Sequence, residues 1–180
     1  MRKPFTFVLV FSFALFLFLP ASQAHASDQD LITDSILRSA ETFFLSLKER
    51  NFETAWKTLS ESSRESIIND VYESSVKIGG TLRREDIVRD FDRRGIMFTN
   101  YWQSFLRTFD ADIVLEQSLW KMGRIAETKA EIIIQYNKIS NPTTLKMLKE
   151  HDTWKVGLNE TFSSAGREKW FDFFKIIHGV

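Results

Sequence analysis

The fold of this chain is decided between Ala126 and Tyr136, where the sequence reads AETKAEIIIQY. Small, apolar or aromatic side chains occupy every second position, and most of the side chains between them are charged or polar. A period of two is typical of a β-strand with one buried face. The predicted inward face consists of Ala126, Thr128, Ala130, Ile132, Ile134 and Tyr136.

Three further strands are predicted beside this one. They cover Asp112–Met122, Thr144–His151 and, after a turn at Asp152 and Thr153, a last segment. In that last segment one face carries Trp154, Val156, Leu158 and Glu160. Strands joined by short turns pair in antiparallel fashion, and one face of such a sheet needs a cover.

Helices are predicted before Asp110, because apolar residues there recur every three or four positions. The predicted helices cover residues 30–50, 52–59, 62–78 and 84–109. Asn51 is expected to separate the first helix from the second, since Asn tolerates the left-handed conformation that ends helices. Ser62 and Glu65 have the spacing of a capping box that opens the third. Gly95 is expected to break the fourth.

The last eighteen or so residues are predicted to form an aromatic helix that follows Ser163 and Ser164. Its apolar side chains are Trp170, Phe171, Phe173, Phe174, Ile176 and Ile177. Basic residues are few in this segment, which favours packing against protein over binding to a membrane surface. The chain is therefore predicted to be an α+β domain, with N-terminal helices packed on an antiparallel sheet of about four strands and a C-terminal aromatic helix.

Residues 1–26 have the layout of a cleavable signal peptide. Arg2 and Lys3 precede an almost unbroken apolar run that ends at Pro20. Small residues at Ala24 and Ala26 fit the signal peptidase, so cleavage is expected after Ala26, with Ala24 as the alternative. The apolar run is shorter than the roughly 20 residues of a membrane-spanning helix. We therefore predict an exported protein without a transmembrane anchor after cleavage, periplasmic or, alternatively, extracellular.

Composition excludes several classes of protein. The chain has no cysteine, which excludes a disulfide scaffold, a thiolate metal site and a lipid-modified cysteine. All 24 acidic residues, and all but two of the 24 basic ones, lie after residue 26. This nearly neutral balance offers no general attraction to nucleic acid. The basic run between Arg83 and Arg94 is interleaved with acids, which is typical of a solvated helix face with ion pairs.

Two short patterns resemble a known superfamily. The first is FFLSLKERNFETAWKTLS at residues 43–60, in which Asn51 and an aromatic residue separate two helices and a Leu-Ser pair follows. The second is DTWKV at residues 152–156, a strand that begins after a turn. Both are similar to secreted bacterial members of the nuclear-transport-factor-like (cystatin-like cone) superfamily.

The resemblance implies a strongly curved sheet that wraps around helices into a cone, with an apolar cavity at its open end. Relatives use this cavity for binding, catalysis or dimerisation. The cone-like domain would span residues 27–180, with a helical insertion at about 60–109. Inward-facing side chains would line the cavity, namely Tyr101, Phe105, Ile132, Ile134, Tyr136 and Trp154.

Enzymes of this superfamily, including isomerases, hydratases and polyketide cyclases, place a carboxylate or an Asp/His pair inside the cone. A buried carboxylate has a raised pKa and can act as a general base. The candidates here are Glu116 and Glu160, with Tyr101 and Tyr136 as hydrogen-bond donors. Solvated glutamates near strand ends and core tyrosines are the alternative interpretation of the same residues.

No other motif predicts a reaction. The sequence has no GxSxG, no phosphate-binding glycine loop and no HExxH. His151 and His178 have no partner at metal-ligand spacing, so neither a metal nor a cofactor is predicted.

Two functional hypotheses remain. The first is an exported non-catalytic binding module whose apolar cavity holds a small apolar molecule, a lipid or a protein partner. It is motivated by the 17 Phe and five Trp residues of the chain. The second is a small cone-type enzyme that uses Glu116 or Glu160. Homodimer formation through the outer face of the sheet is compatible with both.

Overall fold

The computed structural model describes residues 27–136 and 141–162. Six helices come first: α1 (Asp28–Lys48), α2 (Phe52–Thr58), α3 (Glu61–Lys77), α4 (Arg84–Asp92), α5 (Ile96–Phe105) and α6 (Ala111–Glu116). Four strands and a short helix follow: β1 (Ser118–Ile125), β2 (Lys129–Tyr136), β3 (Thr143–Glu150), β4 (Thr153–Gly157) and α7 (Leu158–Thr161). The predicted signal peptide and the predicted aromatic helix after residue 162 lie outside the described residues.

The strands form one curved, unclosed antiparallel sheet in the order β1-β2-β3-β4, as the α+β prediction expected. Ile132 lies opposite Met122 on one side and Leu145 on the other. The predicted alternation is confirmed within β2, where the buried positions are Ala130, Ile132, Ile134 and Tyr136. It is wrong before β2, because Ala126 and Thr128 are exposed in the hairpin turn.

The sheet ends earlier than the pattern predicted. Trp154 and Val156 are buried in β4 as expected, but Leu158 and Glu160 belong to α7 instead of the strand. The preceding turn is made by His151 and Asp152 instead of Asp152 and Thr153. Their backbone φ angles are 47° and 59°. Positive φ angles at both central residues are typical of the two-residue turns that fit the right-handed twist of a β-hairpin.

The prediction of a strand from Asp112 to Met122 is wrong in its first half, which forms α6. The side chain of Asp110 accepts hydrogen bonds from the backbone N–H groups of Asp112 at 2.9 Å and Ile113 at 3.4 Å, so it caps a helix. Ala111 and Val114 are both buried, and their spacing is that of one helical turn. The change from helix to strand therefore occurs at Gln117, seven residues after the predicted point.

α1 covers the inner face of the sheet and contacts α2, α6 and β4. It begins with a capping box between Ser27 and Asp30. Asn51 separates α1 from α2 as predicted, but it acts as the N-cap of α2 and accepts a hydrogen bond from Thr54 N at 3.2 Å. The residue in the left-handed conformation is Arg50, with φ 57°.

The amino end of α3 is fixed to both the sheet and α7. Its N-cap is Ser60 instead of the predicted Ser62, and the Ser60 backbone N–H donates to Val156 O at 3.0 Å. The Glu150 carboxylate of β3 accepts a hydrogen bond from Glu61 N at 3.0 Å. A negative charge is favourable at a helix amino end, because the unpaired N–H groups there carry partial positive charge.

α4 and α5 complete the aromatic part of the core, and Gly95 separates them as predicted. Phe91, Phe98 and Trp102 are buried, so most of the aromatic stripe of these helices is core. The ring of Trp102 lies next to those of Phe43, Phe52, Phe98, Tyr101 and Phe105. The arginines of α4 form the predicted ion pairs, including Arg83 with Asp86 and Arg84 with Glu65.

Ile134→Ala is expected to lower the free energy of unfolding by about 2–5 kcal/mol, because it removes a fully buried side chain from the sheet's inner face. Ile133→Ala, the neighbouring change on the opposite face, is the matched control and should cost clearly less, since Ile133 is only half-buried. Urea unfolding followed by circular dichroism measures both values. Equal losses would contradict the assignment of the two faces.

Candidate functional site

The six predicted cavity residues belong to the core or pack against it. Ile132, Ile134, Tyr136 and Trp154 are buried, and Tyr101 and Phe105 are partly buried beside them. Burial raises the pKa of the Tyr101 hydroxyl, with a smaller contribution from the charge of Asp70. The Tyr136 hydroxyl donates to Gln117 Oε1 at 3.5 Å. Whether these side chains line a ligand cavity stays a prediction.

The two glutamates predicted as catalytic candidates have different surroundings. Glu116 lies at the end of α6, not on a strand, and its side chain is exposed. Lys48 of α1 forms salt bridges with Glu116 and, at 2.7 Å, with Asp112. Hydrogen bonds to these two carboxylates raise the pKa of Lys48. Glu116 therefore holds α6 to α1 at an exposed position and does not lie in a cavity.

Glu160 is half-buried in α7 and meets the amino end of α3. Its Oε2 atom lies 3.4 Å from the hydroxyl oxygen of Ser60 and 3.3 Å from that of Ser63. Both serines are buried, and their hydroxyl oxygens are 2.7 Å apart. Each hydroxyl has a single proton, so one serine donates to the other and the second donates to the Glu160 carboxylate. Glu160 also borders the cleft described next.

The hairpin cleft is a depression of about 340 Å³ beside the β1–β2 turn. Its surface is mainly apolar, and Ala126 and Leu148 contribute side chains to it. Ala130 and Met147 also border the cleft, but they are buried and their side chains belong to the core. The charged members of the cleft are Arg124, Lys129, Glu131, Lys146 and Glu160. Because small-molecule sites combine an apolar wall with a few polar groups, the hairpin cleft is the candidate site of this domain.

The register of the sheet brings the charged members together. Glu131 of β2 lies opposite Lys146 of β3, and Lys146 Nζ donates to Glu131 Oε1 at 2.6 Å. This hydrogen bond lowers the pKa of the Glu131 carboxyl, and the positive charge of Arg124 contributes in the same direction. Arg124 and Lys129 are exposed, and neither forms a salt bridge within the described part of the chain.

Gly157 allows β4 and α7 to approach the hairpin cleft closely. A Cβ atom at this position would stand 2.4 Å from Leu148 Cδ1 and 2.7 Å from Glu160 Oε2, both of which belong to cleft-lining side chains. It would also stand 3.2 Å from the backbone oxygen of Lys146. The missing side chain therefore lets Leu148 and Glu160 occupy their positions.

A second depression, the helix cleft, lies between α1 and the β3–β4 hairpin and has a volume of about 330 Å³. Trp154 lines it together with Leu31 and Ile32, which are 57% and 40% exposed. Trp154 is the one predicted cavity residue that lines either of these two clefts. The helix cleft contains fewer charged groups than the hairpin cleft, with only Lys149 and Asp152.

Two further properties of the described residues bear on function. Among residues 27–136 and 141–162, no group of three or more His, Cys, Asp or Glu side chains is placed to hold a metal ion. His151 lies in the β3–β4 turn, and His178 is outside the described range. Within the same two segments, the helices are either too short or too polar to cross a membrane.

Glu160 is the one predicted site residue that lines the hairpin cleft, but it was predicted on the inward face of a strand instead of in α7, and the other residues of the cleft were missed. Lys129 and Glu131 were predicted to point away from the core, which the structure confirms, without any indication that they meet Lys146. The useful feature of the sequence was that charged residues occur in both β2 and β3. They identify the Glu131–Lys146 pair only when the register of these two strands is known.

Comparison with known proteins gives no match for this chain, whether with protein-family models, with curated proteins or with solved structures. The resemblance to the nuclear-transport-factor-like superfamily therefore stays a prediction. Function has to be argued from the geometry of the clefts.

Glu131→Gln is expected to lower the free energy of unfolding by less than about 1 kcal/mol at neutral pH, because Lys146 is 40% exposed and water weakens the pair. The pKa of Glu131 is lower in the folded state, so the stabilisation is present above the unfolded-state pKa and is lost as the pH falls through the folded-state pKa. Urea unfolding at a series of decreasing pH values measures the free energy of unfolding of the wild type and the variant. The difference between the two values should therefore become smaller as the pH falls. Glu127→Gln, in the same hairpin, is the control. A difference that grows in acid would contradict the assigned pair.

Proposed function

We propose that this chain is an exported, non-catalytic binding module, periplasmic in location, which holds a small apolar molecule in the hairpin cleft. The observation that carries the proposal is the cleft's mainly apolar surface of about 340 Å³ with charged groups beside it. This volume lies at the lower end of the roughly 300–1,000 Å³ typical of ligand sites, which favours a small ligand over a large one.

The position of the hairpin cleft supports binding by a rigid site. Lys129 and Leu148 line the cleft from adjacent strands and lie opposite each other in the register. Sheet hydrogen bonds hold the backbone of both strands, so little backbone entropy is lost when a ligand packs against this surface. The export part of the proposal rests on the pattern of residues 1–26, and the periplasm is favoured over the cell exterior only as the first destination of an exported chain.

Ala126→Trp is expected to reduce the affinity for a neutral apolar dye at least about tenfold, because the indole would fill the hairpin cleft that Ala126 lines. Thr128→Trp is the matched control, since it places the same side chain on the same hairpin at an exposed position that does not line the cleft. Fluorescence titration measures both affinities, and thermal unfolding checks that both variants fold. Unchanged dye binding by Ala126→Trp would refute binding in this cleft.

A second candidate function is a small enzyme of the isomerase, hydratase or cyclase type. One observation favours it: Glu160 lines the hairpin cleft, and its carboxylate accepts a hydrogen bond from the Ser60–Ser63 hydroxyl pair. A carboxylate beside an apolar wall could remove a proton from a bound molecule. Glu116, the other predicted base, is solvated and offers no such surroundings.

Glu160→Gln separates the two candidate functions. For a binding module, molecules that copurify with the wild-type protein should also copurify with the variant and should be chemically unchanged after incubation with either. Native mass spectrometry of protein from its own host identifies bound molecules and their masses. For an enzyme, the wild-type protein would convert the bound molecule and the variant would retain it unconverted. Such a difference would replace the binding proposal with the enzymatic one.

A further inference from the structure

We propose that the ligand of the hairpin cleft is a single-chain amphiphile with a carboxylate head, in which the chain packs against Ala126 and Leu148 and the head is held by Arg124 and Lys129. This inference rests on the proposed function, because it assigns a chemical class to the ligand of the same cleft. It is carried by the distribution of charge around that cleft.

The charged members are not equivalent. Lys146 is paired with Glu131 at 2.6 Å, and Glu160 accepts a hydrogen bond from the buried Ser60–Ser63 pair. Arg124 and Lys129 form no salt bridge with any residue in the described segments. Both are exposed and line the cleft. They are therefore the groups available to an anion, and an Arg–carboxylate contact can form two parallel hydrogen bonds.

The overall charge favours a ligand with one negative charge. Three basic side chains and two acidic side chains line the hairpin cleft, so one positive charge is in excess. A monoanion balances this excess, whereas a doubly charged head such as a phosphate monoester would leave one negative charge without a partner close to Glu160. A neutral apolar molecule would leave this positive charge without a partner.

The apolar surface and the volume specify the rest of the ligand. A ligand chain has the side chains of Ala126 and Leu148 to pack against, and each methylene removed from water favours binding. A volume of about 340 Å³ is small among ligand sites and suits one short chain better than a two-chain membrane lipid. A medium-chain carboxylate combines this size with the required charge.

The test compares decanoate with decanol, which share a chain and differ in the charge of the head. Calorimetric titration of the purified full-length protein at low ionic strength should give about tenfold tighter binding of decanoate, the effect of one charge-assisted contact. The double variant Arg124→Gln with Lys129→Gln should bind both molecules equally and lose the salt dependence of decanoate binding. Equal affinities in the wild-type protein, or a preference that persists in the double variant, would overturn the assignment.

A matched control keeps the net charge of the double variant. Arg107→Gln with Lys121→Gln removes two exposed basic side chains that do not line the hairpin cleft, and it should retain the preference for decanoate. Loss of the preference in this control would show a general charge effect and overturn the assignment to Arg124 and Lys129.

If both ligands bind equally and Ala126→Trp blocks both, the proposed function survives without the carboxylate. If neither ligand binds, this inference falls, and dye binding decides the proposed function separately.

Discussion

The structure depends on covering one face of the sheet. Alternate residues of β2, β3 and β4 are apolar and fully buried, among them Ile134, Leu145 and Val156. Such a face cannot remain in water, because each large aliphatic side chain gains about 1.5–3 kcal/mol on burial. α1 supplies the cover and α2 extends it. The start of α3 depends on this layer, because the backbone N–H of its N-cap, Ser60, donates a hydrogen bond to Val156 of β4. The position of α7 depends on it as well, because α7 follows β4 directly in the chain.

Much of this arrangement could be predicted from local pattern. The alternation in β2 identified its buried face, and Gly95 and Asn51 marked real boundaries. The failure at α6 has a physical cause. Ile113 and Val114 are β-branched and favour strands, but the Asp110 cap and the burial of one helical face outweigh that preference. Local propensity is weak enough for a single cap and tertiary packing to reverse it.

The hairpin cleft was harder to predict, because it depends on register and on an irregularity. Arg124 lies where the β1–β2 register shifts, between Met122 and Ile125, and a shift of this kind changes where a side chain points. Lys146 is distant in sequence and reaches Glu131 only through strand pairing. Periodicity reports which face a residue occupies. It does not report which residues of neighbouring strands lie side by side, and those neighbours determine which charged groups line this cleft.

The two edges of the described sheet differ in their accessibility to other chains. The β4 edge is occupied by a parallel bridge from Leu59 to Val156. Within residues 27–136 and 141–162, no strand pairs with the β1 edge, which carries the charged side chain of Lys121 on an exposed position and the irregularity near Arg124. Charge and bulges on an edge strand oppose pairing with a second molecule. The β1 edge is therefore a poor template for strand addition, although the sheet is not closed.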